Sequence, residues 1–354
     1  MAVMAAMSGD NRKDLKMQDK AIGAKGAHEK KGAVPINSEL GAQSSIKALL
    51  LLGVVGSLLA GQIILAKLAV PTGWAPLALL QWSLFGAAII QFTILAVQGQ
   101  RKSVDMKERV ISELNTDLGQ GKSQNFRQLA TYMLITGLLF AAPNALAFAA
   151  APHVGAGFIS LCFAFPLVLT YGLSVLLGLE TVNVRRLIGV GLGLVGGVAL
   201  ASKGLGQPSE AAIWVLVALA VPVIVSFGNV YRSLKWPKGA SPALLSAGMM
   251  AFAAVAMSLL NWGLGVDILP AAKIWQAMVL LGAQTSVFAL LYVLYFKLQK
   301  LAGPVYLSQM GSVAAVVGLA LAFLVFHEVP GLEKVIAVIA IAMGIFFVSQ
   351  FKRC

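Results

Sequence analysis

Charged residues are scarce in this chain of 354 residues, because Asp, Glu, Lys and Arg make up only 12% of it while 58% is apolar. A soluble domain is about 25% charged. None of the carboxylates falls in the middle of the long apolar runs that occupy most of the sequence. An ionisable group at mid-bilayer is costly and usually functional. We therefore expect a membrane protein whose interior offers amides, hydroxyls and aromatic rings rather than acids.

Cysteine and histidine are also rare. Cys162 lies within an apolar run and Cys354 is the last residue, so we expect no disulfide between them. The sequence contains no HExxH, CxxC, phosphate-binding glycine-rich loop or nucleophile elbow. These absences argue against an enzyme and against a bound metal or cofactor.

Long apolar runs occupy most of the sequence. Each is about 20 residues long, which suits a helix crossing a hydrocarbon core about 30 Å thick. They lack the two-residue alternation of a membrane β-barrel. We therefore predict an all-α membrane protein with ten transmembrane helices, at 47–68, 75–97, 128–150, 155–178, 185–202, 211–233, 242–264, 274–297, 303–326 and 332–350.

The net charge of +13 indicates orientation rather than nucleic acid binding. With the N-terminus in the cytoplasm, ten spans put residues 1–46, 98–127 and the C-terminus on one side, together with three short loops. That side holds every Lys and Arg of the 27 except Lys67, Lys203, Lys273 and Lys334. This asymmetry follows the positive-inside rule, so we expect both termini in the cytoplasm and no nucleic acid partner.

Two long segments lie outside the predicted spans, and their composition predicts a different structure for each. Residues 1–46 combine Lys, Gly and Ala with several acids and lack a long apolar stretch, which predicts a disordered basic cytoplasmic tail. Within the cytoplasmic loop 98–127, apolar residues recur on one helical stripe of Val104–Leu114. A short surface helix at the membrane interface is expected there.

An internal repeat is visible when the sequence is shifted by 148 residues. The shift brings Gly155–Ser160 onto Gly303–Ser308 without a gap, and it also pairs Glu180 with Glu328. Each copy would hold five helices, and an odd number inserts the second copy upside down. We therefore predict two inverted repeats, at 47–202 and 211–350, with a binding site between them near the membrane midplane.

Four stretches resemble EamA-type carriers of the drug/metabolite transporter superfamily. They are GQIILAKLAV (61–70), APLALLQWSLFGAAII (75–90), VGAGFISLCFAFPLVLTYGLSVLLGLET (154–181) and AGPVYLSQMGSVAAVVGLALAFLVFHEVP (302–330). The resemblance covers about residues 47–350. It implies two inverted five-helix bundles around a central cavity, and export or exchange of small metabolites. The resemblance is to bacterial members of the family, which implies the inner membrane.

Polar side chains at mid-span depth form the candidate substrate site. An unpaired amide is costly in hydrocarbon, so each must face a partner or a wet cavity, and interhelical hydrogen bonding is the alternative to substrate contact. The candidate substrate-binding residues are Gln62, Gln81, Asn144, Ser160, Asn229, Gln284, Tyr292, Tyr306 and Gln309.

Helical spacing and prolines suggest how these groups are arranged. Pro143 with Asn144 predicts a local break in the third span, while Pro166 and Pro222 predict kinks in the fourth and sixth. A kinked helix frees backbone carbonyls that can line a cavity. One stripe of the eighth span carries Gln284, Phe288, Tyr292 and Tyr295.

Charges at span ends form a second candidate group. The repeat predicts two related pairs, Lys67 with Glu328 at the outer mouth and Arg232 with Glu180 at the inner mouth. Our hypothesis is that these pairs are gates that close alternately. The alternative is structural, since Lys and Arg snorkel at span ends and a Glu before a helix is stabilised by the helix dipole.

The fifth span contains overlapping GxxxG patterns at Gly189, Gly193 and Gly197. Such patterns are typical of close helix packing or of a homodimer contact.

The sequence thus predicts an alternating-access carrier of small organic metabolites, neutral or zwitterionic and amino-acid-like, working by efflux or exchange. Its expected partners are the lipid bilayer and a small-molecule substrate. One alternative is an exporter of multiple drugs or cationic compounds, although no buried carboxylate is available as a counter-ion. Another is a membrane-embedded transferase acting on a lipid-linked substrate, which normally needs clustered Asp, Glu or His.

Overall fold

The computed structural model describes residues 42–113, 121–179, 181–184, 188, 191, 209–237, 239–327, 339 and 343. All regular structure in these ranges is helical, and seven helical segments are long and apolar enough to cross a membrane. The predicted spans 185–202 and 332–350 lie almost wholly outside the described residues, as does most of the tail 1–46. The total of ten spans and the paired five-helix repeats therefore stay predictions.

Most of the described helices follow one another closely along the chain, and the widest gap lies between Leu176 and Ser209. A single 3₁₀ turn, Val70–Thr72, lies between the first two. In chain order the α-helices are α1 Ala42–Lys67, α2 Pro76–Glu113, α3 Gly121–Val154, α4 Ala156–Cys162, α5 Pro166–Leu176, α6 Ser209–Leu234, α7 Pro242–Leu264, α8 Ile274–Ser308 and α9 Met310–Phe326.

Local signals in the sequence account for several helix ends. At the start of α7 the Ser241 hydroxyl accepts a hydrogen bond from the Leu244 backbone N–H at 3.2 Å, and Pro242 occupies the first turn. Inside α8 the helix is interrupted at Gly303, which has φ 79° and ψ 178°. L-residues with a side chain rarely adopt that conformation, and Pro304 after it has no N–H to donate.

Two predictions about the helices are corrected by the structure. α3 is continuous through Pro143, so the predicted local break there is wrong. The Asn144 side-chain amide donates to the Phe140 carbonyl at 2.8 Å, which helps to hold the turn around the proline. α2 continues to Glu113, so the helix predicted at Val104–Leu114 is the end of α2, since nothing after Pro76 interrupts it.

At the predicted kink before Pro166, the α-helix is interrupted for three residues. α4 ends at Cys162, a turn of three residues follows, and α5 begins at Pro166. α4 packs against α9, and the Phe163 carbonyl oxygen lies directly against Gly311. On the other side of the break, Leu167 and Tyr171 of α5 pack with Val305. The two broken segments therefore cross each other at Phe163 and Gly311.

The main core receives side chains from every described α-helix except α5. Outside it, every α-helix except α4 also presents large apolar side chains that the protein leaves exposed, among them Leu50, Ile89, Leu259 and Val316. In a water-soluble protein such a surface would be unfavourable, whereas in a bilayer it faces lipid.

A smaller core closes the end of the bundle where α1 meets α2 and α7 meets α8. It is centred on Trp74, whose indole N–H donates to the Ala277 carbonyl at 2.9 Å. The exposed rings of Trp262 and Trp275 lie at the same end, on either side of the α7–α8 connection. Exposed tryptophans at helix ends are typical of the membrane–water interface.

Candidate functional site

A small cavity lies where the broken segments cross. Its volume is about 20 Å³. That is room for about one water molecule, so a larger solute needs the surrounding helices to separate. The lining comes from six helices and from the turn between α4 and α5: Leu59, Leu139, Phe140, Pro143, Asn144, Phe163, Val225, Arg232, Met249, Tyr292, Tyr295 and Met310.

Arg232 is the cation in this lining. It lies two residues before the end of α6 and is only 4% exposed. Its Nη2 donates to Asn229 Oδ1 at 2.8 Å and to the Tyr295 hydroxyl at 2.6 Å, and its guanidinium carbon lies 5.1 Å from the Tyr295 ring centroid. The described residues supply no carboxylate to it, and its Nε has no hydrogen-bond partner among them. Arg232 is therefore held by neutral groups.

Asn229 connects Arg232 to α8 on both sides of the Gly303 interruption. The Tyr295 hydroxyl donates to Asn229 Oδ1 at 2.5 Å, and Asn229 Nδ2 donates to Ser308 Oγ at 3.1 Å. The Gln299 amide donates to the Asn229 carbonyl at 3.1 Å and to Ser233 Oγ at 2.9 Å. This hydrogen-bond network holds the C-terminal end of α6, which the sequence predicts to face the cytoplasm, against α8.

A second polar cluster joins α1, α3 and α8. Gln62 Nε2 donates to Asn144 Oδ1 at 3.3 Å, and Gln284 Nε2 donates to the Gln62 carbonyl at 3.3 Å. Gln62 and Gln284 are 1% and 0% exposed, and the side-chain oxygen of each has no hydrogen-bond partner. Buried acceptors without donors are rare, because they lose the hydrogen bonds that water would give.

Aromatic rings fill the space between the two clusters. Tyr292 lies next to both Gln62 and Asn144, and its ring centroid is 4.5 Å from that of Phe140. The Tyr292 and Tyr295 centroids are 5.5 Å apart. The stripe expected on the eighth span is thus fully buried and runs between the amide cluster and Arg232.

Of the nine candidate substrate residues, Asn144 and Tyr292 line the cavity and the other seven do not. Gln81 Oε1 accepts from Asn261 Nδ2 at 2.7 Å and so links α2 to α7. The Ser160 side chain is buried against Gly318. Gln309 forms the break between α8 and α9, with Tyr306 half-buried just before it. These four residues support helix packing in the described structure.

The Gln81 contact leads to a prediction about stability. Replacing Gln81 with leucine removes an interhelical hydrogen bond worth about 0.6–1.7 kcal/mol in a membrane protein. We expect a small drop in melting temperature in detergent and an unchanged KM for transport. A KM raised tenfold or more at an unchanged melting temperature would instead place Gln81 on the substrate path.

Only half of the predicted gate residues are described. Lys67 Nζ lies 4.5 Å from the centroid of the Phe326 ring, at the end of α9. Arg232 belongs to the cavity lining, as above. Glu180 and Glu328 lie outside the described residues, so both ion pairs stay predictions.

Tyr295 is the main addition that the structure makes to the predicted site. Its stripe position on the eighth span was visible in the sequence, but nothing there indicated that its hydroxyl meets Arg232. Gln299 and Ser308 belong to the same network and could not be predicted either. They lie on either side of a helix interruption, and helical spacing in the sequence cannot relate residues across such a break.

Comparisons with known proteins identify the class. Residues 212–350 match the model of the EamA-like transporter family. Within these residues the chain is similar to a family of integral membrane transporters in the drug/metabolite transporter superfamily, and that likeness points to transport rather than catalysis. A solved crystal structure superimposes with a TM-score of 0.57 at 20% sequence identity, covering 86% of this chain and 97% of that one. At that identity the likeness concerns the fold alone. A comparison with curated protein sequences gives no match.

Proposed function

We propose that this protein is an alternating-access carrier of small organic metabolites, neutral or zwitterionic and amino-acid-like, and that the central cavity is its substrate site. One observation carries the proposal. The cavity lies at the crossing of two interrupted helical segments, and its lining combines polar groups with aromatic and apolar side chains. Sites of this composition are typical of small-molecule binding.

Inverted repeats are supported by two pairs of equivalent positions. Gly155 and Gly303, which the repeat aligns, have φ values of 87° and 79° and each precedes a short helix that soon breaks. Phe163 and Gly311 are aligned by the same shift and lie in contact. Equivalent residues that touch lie on the axis relating the two copies. Because α4 packs on α9 while Val305 packs on α5, the two segments cross in opposite directions.

The mechanism follows from the size of the cavity and from the helix breaks around it. A metabolite needs more room than about 20 Å³, so on this proposal the surrounding helices separate before it binds. The interruptions at Gly155, Phe163, Gly303 and Gln309 are the positions where backbone rotation disturbs the fewest helical hydrogen bonds. Rocking about these positions would open the cavity to one side at a time.

The charge in the cavity also bears on the alternatives. A permanently cationic drug would meet the buried Arg232 guanidinium, which makes a multidrug or cation exporter the weaker hypothesis.

The positive-inside asymmetry supports cytoplasmic termini. A bacterial inner membrane, and efflux or exchange as the direction, rest on the family resemblance.

The experiment is a thermal-shift screen of the purified protein against neutral, zwitterionic, anionic and cationic metabolites, followed by counterflow of each hit in proteoliposomes. We expect at least one neutral or zwitterionic solute to accumulate above protein-free liposomes. Met310→Trp should abolish this counterflow by filling the cavity, whereas Val316→Trp on the exposed face of the same helix should not.

Three results would contradict the proposal. The first is that no solute accumulates above the protein-free background. The second is that Met310→Trp transports as well as the wild type while remaining folded. The third is that the purified protein turns over a radiolabelled lipid-linked substrate, which would favour the transferase.

A further inference from the structure

The side chain of Arg232 turns back along α6, away from the end of the helix. A Cβ added to Gly228, one turn earlier, would lie 3.2 Å from Nη1 and 3.3 Å from Nη2 of Arg232. An arginine that snorkels would extend the opposite way, toward the interface beyond Leu234. Arg232 is instead 4% exposed and lines the cavity. An ionisable group directed into a membrane-spanning bundle is usually functional.

The Arg232 guanidinium is an incomplete ion site. Taking a charge out of water is costly, and an opposite charge or several well-placed hydrogen bonds must compensate for it. In the described part of the chain Arg232 is the only buried side chain with a charge. Its Nη2 donates to two neutral groups, the Asn229 amide oxygen and the Tyr295 hydroxyl, while Nε has no partner among the described residues. A carboxylate would suit the guanidinium better, because its two oxygens accept two parallel N–H bonds.

The cavity lining limits the charge that a solute can carry. Arg232 is the one cation that the described residues contribute to it, and the other lining side chains are apolar or aromatic except Asn144. A carboxylate brings one negative charge, which the arginine balances. A phosphate monoester carries a charge of about −1.5 to −2 at pH 7, so part of its charge would stay uncompensated among apolar groups. The lining therefore favours a singly charged acid with an apolar substituent.

An amino group on the solute has much less to bind. No carboxylate lines the cavity among the described residues, and the side-chain acceptors of the lining are the Asn144 amide oxygen and tyrosine hydroxyls. Asn144 Oδ1 already accepts a hydrogen bond from Gln62 Nε2 at 3.3 Å. Neutral acceptors stabilise an ammonium group less than an opposite charge does. Recognition therefore depends on the carboxylate, with or without an amino group beside it.

We propose that Arg232 binds the carboxylate of the transported solute, and that the substrates are singly charged carboxylic acids with an apolar substituent. Asn229 and Tyr295 position the guanidinium for this contact. Phe140 and Phe163 line the same cavity and suit an aromatic or branched aliphatic substituent. This assignment rests on the proposed function and extends it, because simple monocarboxylates join the zwitterionic amino acids.

The test measures equilibrium binding to full-length protein in lipid nanodiscs. The probes share one apolar group and differ in what is attached to it: hydrocinnamate, its carboxamide, phenethyl phosphate and phenylalanine. A second series of isocaproate, its carboxamide, isoamyl phosphate and leucine covers an aliphatic substituent. In at least one series we expect the acid to bind at least about tenfold more tightly than the carboxamide and the phosphate. The amino acid should bind within a few-fold of its desamino acid.

Variants assign the preference to Arg232. Arg232→Gln should bring the affinities for the acid and the carboxamide close to each other, and Arg232→Lys should keep part of the preference because it retains the charge. Tyr295→Phe should weaken binding of the acid a few-fold and leave binding of the carboxamide unchanged, as expected of a positioning residue. The control is Arg127→Gln, an exposed arginine at the start of the α3 span, which should leave the acid-to-amide ratio unchanged. The melting temperature of each variant shows whether it is folded.

Several results would overturn the assignment. One is a carboxamide or a phosphate that binds as tightly as the acid in both series. Another is an amino acid that binds at least about tenfold more tightly than its desamino acid, because the protein would then recognise the ammonium group. Equal loss of the acid preference in Glu180→Gln and in Arg232→Gln would assign it to the predicted ion pair at the inner mouth.

Failure of the assignment can be distinguished from failure of the proposed function. If no probe of either series binds while neutral metabolites give counterflow, the assignment fails and the carrier function stands. If acids bind through Arg232 and no solute of any class gives counterflow, the proposed function fails, and the acid is a ligand rather than a transported solute.

Discussion

Replacing Gly311 with alanine is expected to destabilise the protein severely or to prevent it from folding. An added Cβ would coincide with the Phe163 carbonyl oxygen, which is backbone and cannot rotate away. The crossing helices would have to separate, and overpacking of that kind costs ~3 kcal/mol, at the upper end of the usual range. The measurement is the yield of monodisperse protein in detergent together with its melting temperature.

Gly172→Ala is the matched control for this prediction. Gly172 lies in α5, and a Cβ built there meets nothing within 4 Å outside its own helix turn. Alanine favours a helix over glycine by about 1 kcal/mol, so the melting temperature should stay the same or rise slightly. Equal behaviour of the two variants would mean that the helices do not cross closely at Phe163 and Gly311.

Replacing Asn229 with aspartate is expected to abolish transport of carboxylate-bearing solutes without unfolding the protein. Asn229 Oδ1 lies 2.8 Å from Arg232 Nη2, so a carboxylate of the same shape would pair with the guanidinium permanently. The new carboxylate would then occupy the guanidinium that an acidic group entering the cavity would otherwise meet. Counterflow of any active acid should fall at least tenfold, with a melting temperature no lower than that of the wild type.

The same substitution elsewhere separates this effect from the general cost of a buried acid. Asn261 is buried on α7, where it donates to Gln81 Oε1 and to the Leu77 carbonyl, and its hydrogen-bond partners among the described residues include no cation. Asn261→Asp should therefore lower the melting temperature, since an uncompensated carboxylate is costly. If Asn229→Asp transports acids normally, Arg232 does not bind them.

Helix positions could be predicted from the sequence where length and end signals agree. The span predicted at 242–264 coincides with α7, because Ser241 and Pro242 start it and Gly265 follows its last turn. The stripe on α8 could also be predicted, since its four residues follow helical spacing. Pro143 shows the limit of such reasoning, because a local signal for a break was outweighed by the packing of α3 inside the core.

The depth of Arg232 could not be predicted from the sequence. An arginine two residues from the end of a span usually snorkels to the interface, which is why the sequence suggests a gate at the mouth. Its burial depends on Tyr295, which comes from α8, sixty-three positions further along the chain. Contacts at that separation are set by how helices are arranged, and the apolar pattern of a single helix carries no information about them.

The central claim is that the cavity opens to each side of the membrane in turn. It is tested most directly by Met310→Cys, introduced after Cys162 and Cys354 have been changed to alanine, because Met310 lines the cavity and is almost fully buried. The measurement is labelling by a membrane-impermeant thiol reagent in right-side-out and inside-out vesicles. The account predicts labelling from both sides, slowed by a transported solute. Labelling from one side only, at a rate that no transported solute changes, would contradict it.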